Sequence, residues 1–285
     1  MAKAIMLQGT ASGVGKTILT MALCRILKQD GYRVAPFKAQ NMTANTALTA
    51  SGGEIALSQL LQAYAAGSSP CADMNPIVLK PLPGQQGNQV ILSGKLYCNI
   101  GAYRYRELKK TLMAEVLEAY ARLAGEYDVI VIEGAGSPAE LNLKQDDIVN
   151  MGLAKRLDVP VLLVADIDRG GVFAALSGTV KLLDPEEQEL IKALIINRFR
   201  GEAAYFQEGR EILQSITGRP VLGLIPYMQL NLPEEDSLYH AEHIPFSAKS
   251  DFDSQFDLLA DTVRKSLDME LFFRILSGGA GGRYE

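Results

Sequence analysis

The sequence predicts an α/β fold: a mainly parallel sheet with helices on both faces. Three observations point there. Short runs rich in Val and Ile alternate with helical patterns, as in chains of βαβ units. Those runs lack a strict apolar–polar alternation, which is what strands covered on both faces show. The first run, AIML, leads through a glycine-rich stretch, GTASGVGKT, directly into the helical pattern ILTMALCRIL.

Local signals place each element. The candidate strands are Ala4 to Leu7, Arg33 to Pro36, Val129 to Ile132, Val161 to Ala165, Leu194 to Ile196 and Val221 to Ile225. Helical patterns cover Lys16 to Gln29, Glu54 to Ala66, Tyr103 to Leu123, Ile148 to Arg156, Val172 to Leu183 and Ala203 to Ile216. QVILSGKLYCN, from Gln89 to Asn99, predicts a β-hairpin turning at Ser93-Gly94. After Pro226 the chain becomes polar and proline-bearing, as loops are. Phe252, Phe256, Leu259, Val263 and Leu267 then recur near the helical period and predict a docking helix. The expected organisation is one large unit over residues 1–238, a linker over 239–250, a C-terminal helix over 251–276 and a frayed tail over 277–285.

Composition excludes some partners. With 28 Lys+Arg against 33 Asp+Glu, the formal net charge is −5, which gives no footprint for nucleic acid or an anionic membrane. No stretch approaches the roughly 18 apolar residues of a membrane span, so a cytoplasmic protein acting on a small polar metabolite is expected. Cys24, Cys71 and Cys98 lack metal-ligand spacing and are expected to be inert thiols.

Strand, glycine-rich loop and helix together form the context in which backbone N–H groups and a helix N-terminus bind phosphate. The fold expected is therefore of the P-loop NTPase type. Thr10, Ser12, Gly13, Val14 and Gly15 would cradle the nucleotide, Lys16 would reach its outer phosphates, and the Thr17 hydroxyl would ligate Mg²⁺. ATP and Mg²⁺ are the expected cofactors. A second acidic ligand is expected at the end of a buried strand, and DVIVIEGAGS supplies Glu133 before Gly-Ala-Gly. Glu54 is a weaker ligand candidate, since it can equally cap the helix it begins. Lys38 ends the second candidate strand on the same sheet edge as the loop, where open α/β sheets bind ligands.

The loop spacing departs by one residue from G-x-x-x-x-G-K-[ST], because five residues separate Gly9 from Gly15. The partitioning-type ATPases carry an extra lysine where this chain has Ala11, which argues against a switch of that kind. G-T-x-x-x-V-G-K-T instead resembles the loop of dethiobiotin synthetase and of the amidotransferase synthetases that share its fold. Further segments, APFKAQNM, GGEIALSQLLQAYAAG, MNPIVLKP, EGAGSPAELNL, DIVNMGLA, DIDRGGVFA and INRFRG, resemble the synthetase part of the cobyric acid synthase family up to about Leu238.

That resemblance implies an ATP-dependent ligase in which corrin side-chain carboxylates become acyl phosphates and are then amidated by ammonia. It also places Lys38 near the γ-phosphate and Asn197 at the adenine, although Asn197 can equally form the turn before Arg-Phe-Arg-Gly. A corrin polycarboxylate implies polar recognition loops, and Gln40, Asn41, Asn45, Ser137, Glu140, Asn142 and Arg169 are the candidates. Asp166 and Asp168 are candidates for assisting Mg²⁺ or positioning ammonia, or for a structural role. Full-length members also carry a glutaminase with a Cys–His pair. Here His240 and His243 lie in the linker, so the expectation is a synthetase without its own glutaminase, using free ammonia or a separate glutaminase subunit. Pairing into a homodimer is a further expectation. The rival readings are a dethiobiotin synthetase-like enzyme with another substrate and a non-catalytic ATP-binding regulatory module.

Overall fold

The computed structural model describes residues 2–82, 87–230, 232 and 249–278. The predicted linker up to residue 248, with His240 and His243, and residues 279–285 of the tail lie outside the described residues.

In chain order the elements begin β1 (Lys3–Gly9), α1 (Lys16–Gln29), β2 (Val34–Phe37), β3 (Gln40–Met42), β4 (Thr46–Leu48), β5 (Glu54–Ala56) and α2 (Leu57–Ala66). Next come β6 (Ile77–Pro81), β7 (Asn88–Leu92), β8 (Lys95–Ile100), α3 (Ala102–Glu126), β9 (Val129–Glu133), α4 (Met151–Leu157) and β10 (Val161–Asp166). The chain continues through α5 (Val172–Leu182), α6 (Pro185–Leu190), β11 (Ile191–Phe199), α7 (Gln207–Thr217), β12 (Val221–Pro226), α8 (Lys249–Ser266) and α9 (Met269–Leu276).

All six predicted strands form one parallel sheet in the order β12-β11-β10-β1-β9-β2. Successive side chains along each strand alternate between two apolar layers. Ile5, Leu7, Val129, Val131, Leu162 and Val164 face α1, α2, α8 and α9. Met6, Ile130, Ile132, Leu163 and Ala165 face the layer that holds α3, α4, α5 and α7. Both faces are therefore dry, which explains why the strands read as continuous apolar runs.

The hairpin forms as expected: β7 pairs antiparallel with β8, and Ser93 and Gly94 both take positive φ, 48° and 78°. It belongs to a second sheet, β3-β6-β7-β8, that the sequence did not announce. The helix expected from Glu54 starts at Leu57, because Glu54–Ala56 pairs with β4 as a strand. Similarly, α4 starts at Met151, and the segment from Ala203 begins with a 3₁₀ turn before α7. The unpredicted α6 starts with Pro185 and a capping box between Asp184 and Glu187.

The C-terminal helical segment is two helices. The Asp268 side chain accepts from Leu271 N and starts α9 afresh. Phe256, Leu259, Ala260 and Val263 of α8 are fully buried against α1, each large apolar side chain contributing roughly 1.5–3 kcal/mol. Arg25 of α1 closes the contact with hydrogen bonds to Asp253 at 2.8 Å and to Asp257 at 2.7 and 2.9 Å. Cys24 sits in this core and burial pushes its thiol well up, as it does for Cys71, so neither is a ready nucleophile. Among the described residues no helix is long and apolar enough to cross a membrane.

Candidate nucleotide and phosphate site

Strand order assembles the site. β9 lies between β1 and β2, so the end of β9 is flanked by the loop after β1 on one side and by Lys38, just past β2, on the other. The loop leaves β1 at Gly9, is tied to β10 by Thr10 N donating to Val164 O at 2.9 Å, and enters α1 at Lys16. Gly15 takes φ 98°, and a Cβ there would stand 2.1 Å from Asn197 Nδ2. Conformation and space both demand glycine at that position.

Lys16 is 6% exposed and its ammonium donates to the carbonyls of Ala11 and Gly136, each at 3.0 Å. It thus bridges the loop after β1 and the loop after β9. Glu133 is the hub beneath it. Its Oε1 accepts from Thr17 Oγ1 at 2.8 Å and from Lys38 Nζ at 2.9 Å, while its Oε2 accepts from Gln62 Nε2. The Glu133 and Lys38 side chains are 1% and 5% exposed, so the pair is dry and is satisfied by further hydrogen bonds. Gln62, from α2, was not anticipated; a glutamine inside a helix that is buried all round was the available sign.

These groups open onto a cleft of about 660 Å³ at the carboxyl edge of the parallel sheet. Its wall includes Ser12, Gly13, Gly15, Lys16, Thr17, Lys38, Asn41, Glu133, Asp166, Asp168, Arg169 and Asn197. Ser58, Arg198 and an apolar rim of Tyr227, Met228, Leu230 and Leu232 line it too and were not anticipated. Of the other loop residues, Thr10 and Val14 stay behind the surface as supports. Asn197 Nδ2 donates to Val14 O at 2.8 Å, so this amide pins the phosphate loop with one of its two N–H groups.

Asp166 and Asp168 both reach the cleft, each already matched to an arginine. Arg198, which holds a positive φ of 59°, donates to Asp166 Oδ2 at 2.6 Å, and Arg169 lies 3.7 Å from the same oxygen. Arg200 donates to Asp168 at 2.6 Å and stacks over Tyr227 at 3.8 Å. The Arg200 hydrogen bond holds the Asp168 carboxyl below its usual range. Both carboxylates are thus held at the cleft beside arginines, and Asp166 Oδ1 also accepts from Asp168 N at 2.8 Å.

Glu54 departs from expectation. Its carboxylate accepts from Lys80 and Thr46, and it is absent from the cleft wall, because β5 belongs to the β4–β5 pair and not to the edge of the main sheet. The remaining substrate candidates separate as well. Asn41 donates to Ser58 at 3.0 Å in the cleft wall, whereas Gln40 accepts from the Tyr105 hydroxyl outside it. Asn45 is part of the turn before β4, its N–H bonded to Thr43 Oγ1 at 3.0 Å. Ser137 and Glu140 line a separate cavity of about 50 Å³, joined by a 2.9 Å bond from Ser137 N to the Glu140 carboxylate. Asn142 lies in the 3₁₀ turn Leu141–Asp146, outside the walls of both cavities.

Residues 5–238 match the CobQ/CobB/MinD/ParA nucleotide binding domain. The chain belongs to this family. Within it, the sequence is 52% identical over 238 residues to the cobyric acid synthase of Photorhabdus laumondii, covering 84% of this chain and 46% of that protein. The cobyric acid synthase of Yersinia enterocolitica is 52% identical over 234 residues, covering 82% and 46%, and that of Salmonella gallinarum 52% over 238 residues, covering 84% and 47%. The chain therefore spans about half the length of the curated relatives it matches. A solved structure of signal recognition particle receptor FtsY from Elizabethkingia anophelis in complex with GDP is similar at 18% identity and a TM-score of 0.43, over 79% of this chain and 57% of that one. Membership of the nucleotide-binding family agrees with the loop, and the cobyric acid synthase relatives agree with the resemblance read from APFKAQNM to INRFRG.

Proposed function

We propose that this chain is an ATP- and Mg²⁺-dependent amide ligase that activates corrin side-chain carboxylates, those of adenosylcobyrinic acid a,c-diamide, as acyl phosphates for amidation by ammonia. What supports the reading is the convergence of Lys16, Thr17, Lys38 and Glu133 at one edge of the cleft, in a chain 52% identical to cobyric acid synthases. Bringing a carboxylate against a polyphosphate sets anion against anion, and two buried lysines at that edge offset the repulsion.

The Thr17 hydroxyl and the Glu133 carboxylate lie 2.8 Å apart and present hard oxygen donors suited to Mg²⁺. Mg²⁺ commonly takes one or two protein ligands and keeps phosphate and water in its remaining positions. Bound there, Mg²⁺ would neutralise phosphate charge during transfer. Glu54 is left out of this ligand set.

Lys16 and Lys38 would face the phosphates as the substrate carboxylate attacks the γ-phosphorus, the bond to the β,γ-bridging oxygen breaks and ADP leaves. Ammonia then attacks the acyl carbon, phosphate departs, and the proton lost from nitrogen leaves with it. Arg169 and Arg198, with Asn41 and Ser58, are the cleft groups offered to the polar substrate. Ammonia is the nitrogen nucleophile in this reading. Residues 1–238 form the synthetase unit in this reading.

The test is phosphate release from MgATP with adenosylcobyrinic acid a,c-diamide, comparing ammonium chloride with glutamine, alongside mass analysis of the corrin. Corrin-dependent phosphate release with carboxyl groups converted to carboxamides when ammonium is supplied is the expected result. An ATPase rate indifferent to corrin and to either nitrogen donor would overturn the substrate assignment and favour a nucleotide-binding regulatory module.

A further inference from the structure

α2 is buried along its whole length, yet it carries Gln59 and Gln62, both fully buried and three residues apart on one face. Helices enclosed by core are normally apolar all round, so two amides here need partners. Their bonding is directional. An ionised Glu133 can only accept, so Gln62 must turn its NH₂ group to Oε2, which leaves the Gln62 carbonyl to accept. Gln59 Nε2 donates to that carbonyl at 2.8 Å. The chain then stops, for Gln59 Oε1 is buried without a hydrogen-bond partner among the described residues.

An unpaired buried acceptor opposes folding, and an apolar pair of similar shape at 59 and 62 would remove that penalty. A relay that weakens the core but grips one oxygen of Glu133 is therefore better accounted for at the site than in the core. Thr17 and Lys38 share Oε1, on the side of the phosphate loop, while among the described residues Gln62 donates to Oε2. Holding Oε2 prevents the carboxylate from rotating and keeps Oε1 directed at the Thr17 hydroxyl.

We infer that Gln62 is a positioning residue for the metal–nucleotide site, and that Gln59 supports it by fixing the orientation of its amide. This rests on the reading of Glu133 as a Mg²⁺ ligand. Outer groups that orient metal ligands commonly change metal affinity by about 10–100-fold when removed.

The experiment is calorimetric titration of the non-hydrolysable ATP analogue adenylyl imidodiphosphate, with and without MgCl₂, on wild type and the variants Gln62→Met, Gln59→Leu and Glu133→Gln, with thermal unfolding of each. In Gln62→Met the tightening produced by Mg²⁺ should fall about tenfold while affinity without Mg²⁺ stays put. Gln59→Leu exchanges the unpaired Gln59 Oε1 for an unpaired Gln62 Oε1, so its melting temperature should change little while it loses a smaller part of that tightening, a combination that a purely structural relay cannot give. A Gln62→Met protein that folds and keeps the full Mg²⁺ effect, while Glu133→Gln loses it, overturns the relay and leaves the metal reading standing. If Glu133→Gln keeps the Mg²⁺ effect, the metal reading itself falls. If Gln62→Met fails to fold, Gln59→Leu decides alone, and normal Mg²⁺ tightening there overturns the inference.

Discussion

Glu133 and Glu54 are both carboxylates that meet a lysine and a threonine hydroxyl, yet their surroundings differ. Glu133 ends a central strand of the parallel sheet, with Lys38 at 2.9 Å and side-chain exposures of 1% and 5% for the pair. Glu54 sits in the short β4–β5 pair, with Lys80 and Thr46, and the exposures there are 21% and 29%. The first pair opens onto the cleft beside the phosphate loop; the second joins β5 to β6 outside it. The comparison teaches that residue type nominates a candidate ligand and strand position decides whether it reaches the cleft. In an open α/β sheet the carboxyl ends of neighbouring strands converge on one crevice, and of these two glutamates only Glu133 stands there.

The largest effect expected from breaking the comparison is at Lys38. Lys38→Met leaves Glu133 charged and dry, held only by Thr17 and Gln62. The cost in urea unfolding should be about 3 kcal/mol, the low end for a broken buried pair because two hydrogen bonds survive. Corrin-dependent phosphate release should drop by about 100-fold or more. A Lys38→Met protein as stable as wild type would show that the buried pair contributes nothing to folding.

Next comes a contrast between the two glutamates. Glu54→Gln should leave Mg²⁺-dependent nucleotide affinity unchanged, and Glu133→Gln should lower it by about tenfold or more. Equal losses in calorimetry would return Glu54 to the metal site. A smaller effect is expected in stability: Glu54→Gln should cost about 1 kcal/mol, since the pair it breaks is partly open to solvent.

The smallest effect is in its pH dependence. Burial alone would raise the Glu54 carboxyl, but hydrogen bonds from Lys80 and Thr46 outweigh burial and hold it below its ordinary range. A lowered folded value means that the stabilisation is complete above the ordinary glutamate value of about 4.3 and is lost as pH falls through the folded value. The stability gap between wild type and Glu54→Gln should therefore be widest near neutrality and close under acid. A gap constant down to about pH 3 would show that the charge of Glu54 contributes nothing.

Much of this protein was legible along the chain. The six strands of the main sheet are apolar runs whose bounds agree with the structure to within a few residues, because double-sided burial is written locally in Val and Ile. GTASGVGKT fixed the phosphate loop, since Gly15 must hold φ 98° with Asn197 against it. Less legible were β3, β4, β5 and β6, strands of three to five residues whose pairing depends on partners elsewhere in the chain. The Asp184-Pro185 start of α6 is a cap written locally in the sequence.

By itself, the sequence determined the parallel sheet, the loop that carries phosphate chemistry and the candidate carboxylate at the end of β9. Only the tertiary structure decided that Glu133 faces Thr17 of α1, Gln62 of α2 and Lys38 just past β2, that Glu54 turns to Lys80, and that Asp166 and Asp168 are already matched to arginines. The reason is that periodicity reports how each segment meets water and apolar core, a property of near neighbours in sequence. Partnership between side chains about a hundred residues apart depends on the order of strands in the sheet, here on β9 inserting between β1 and β2.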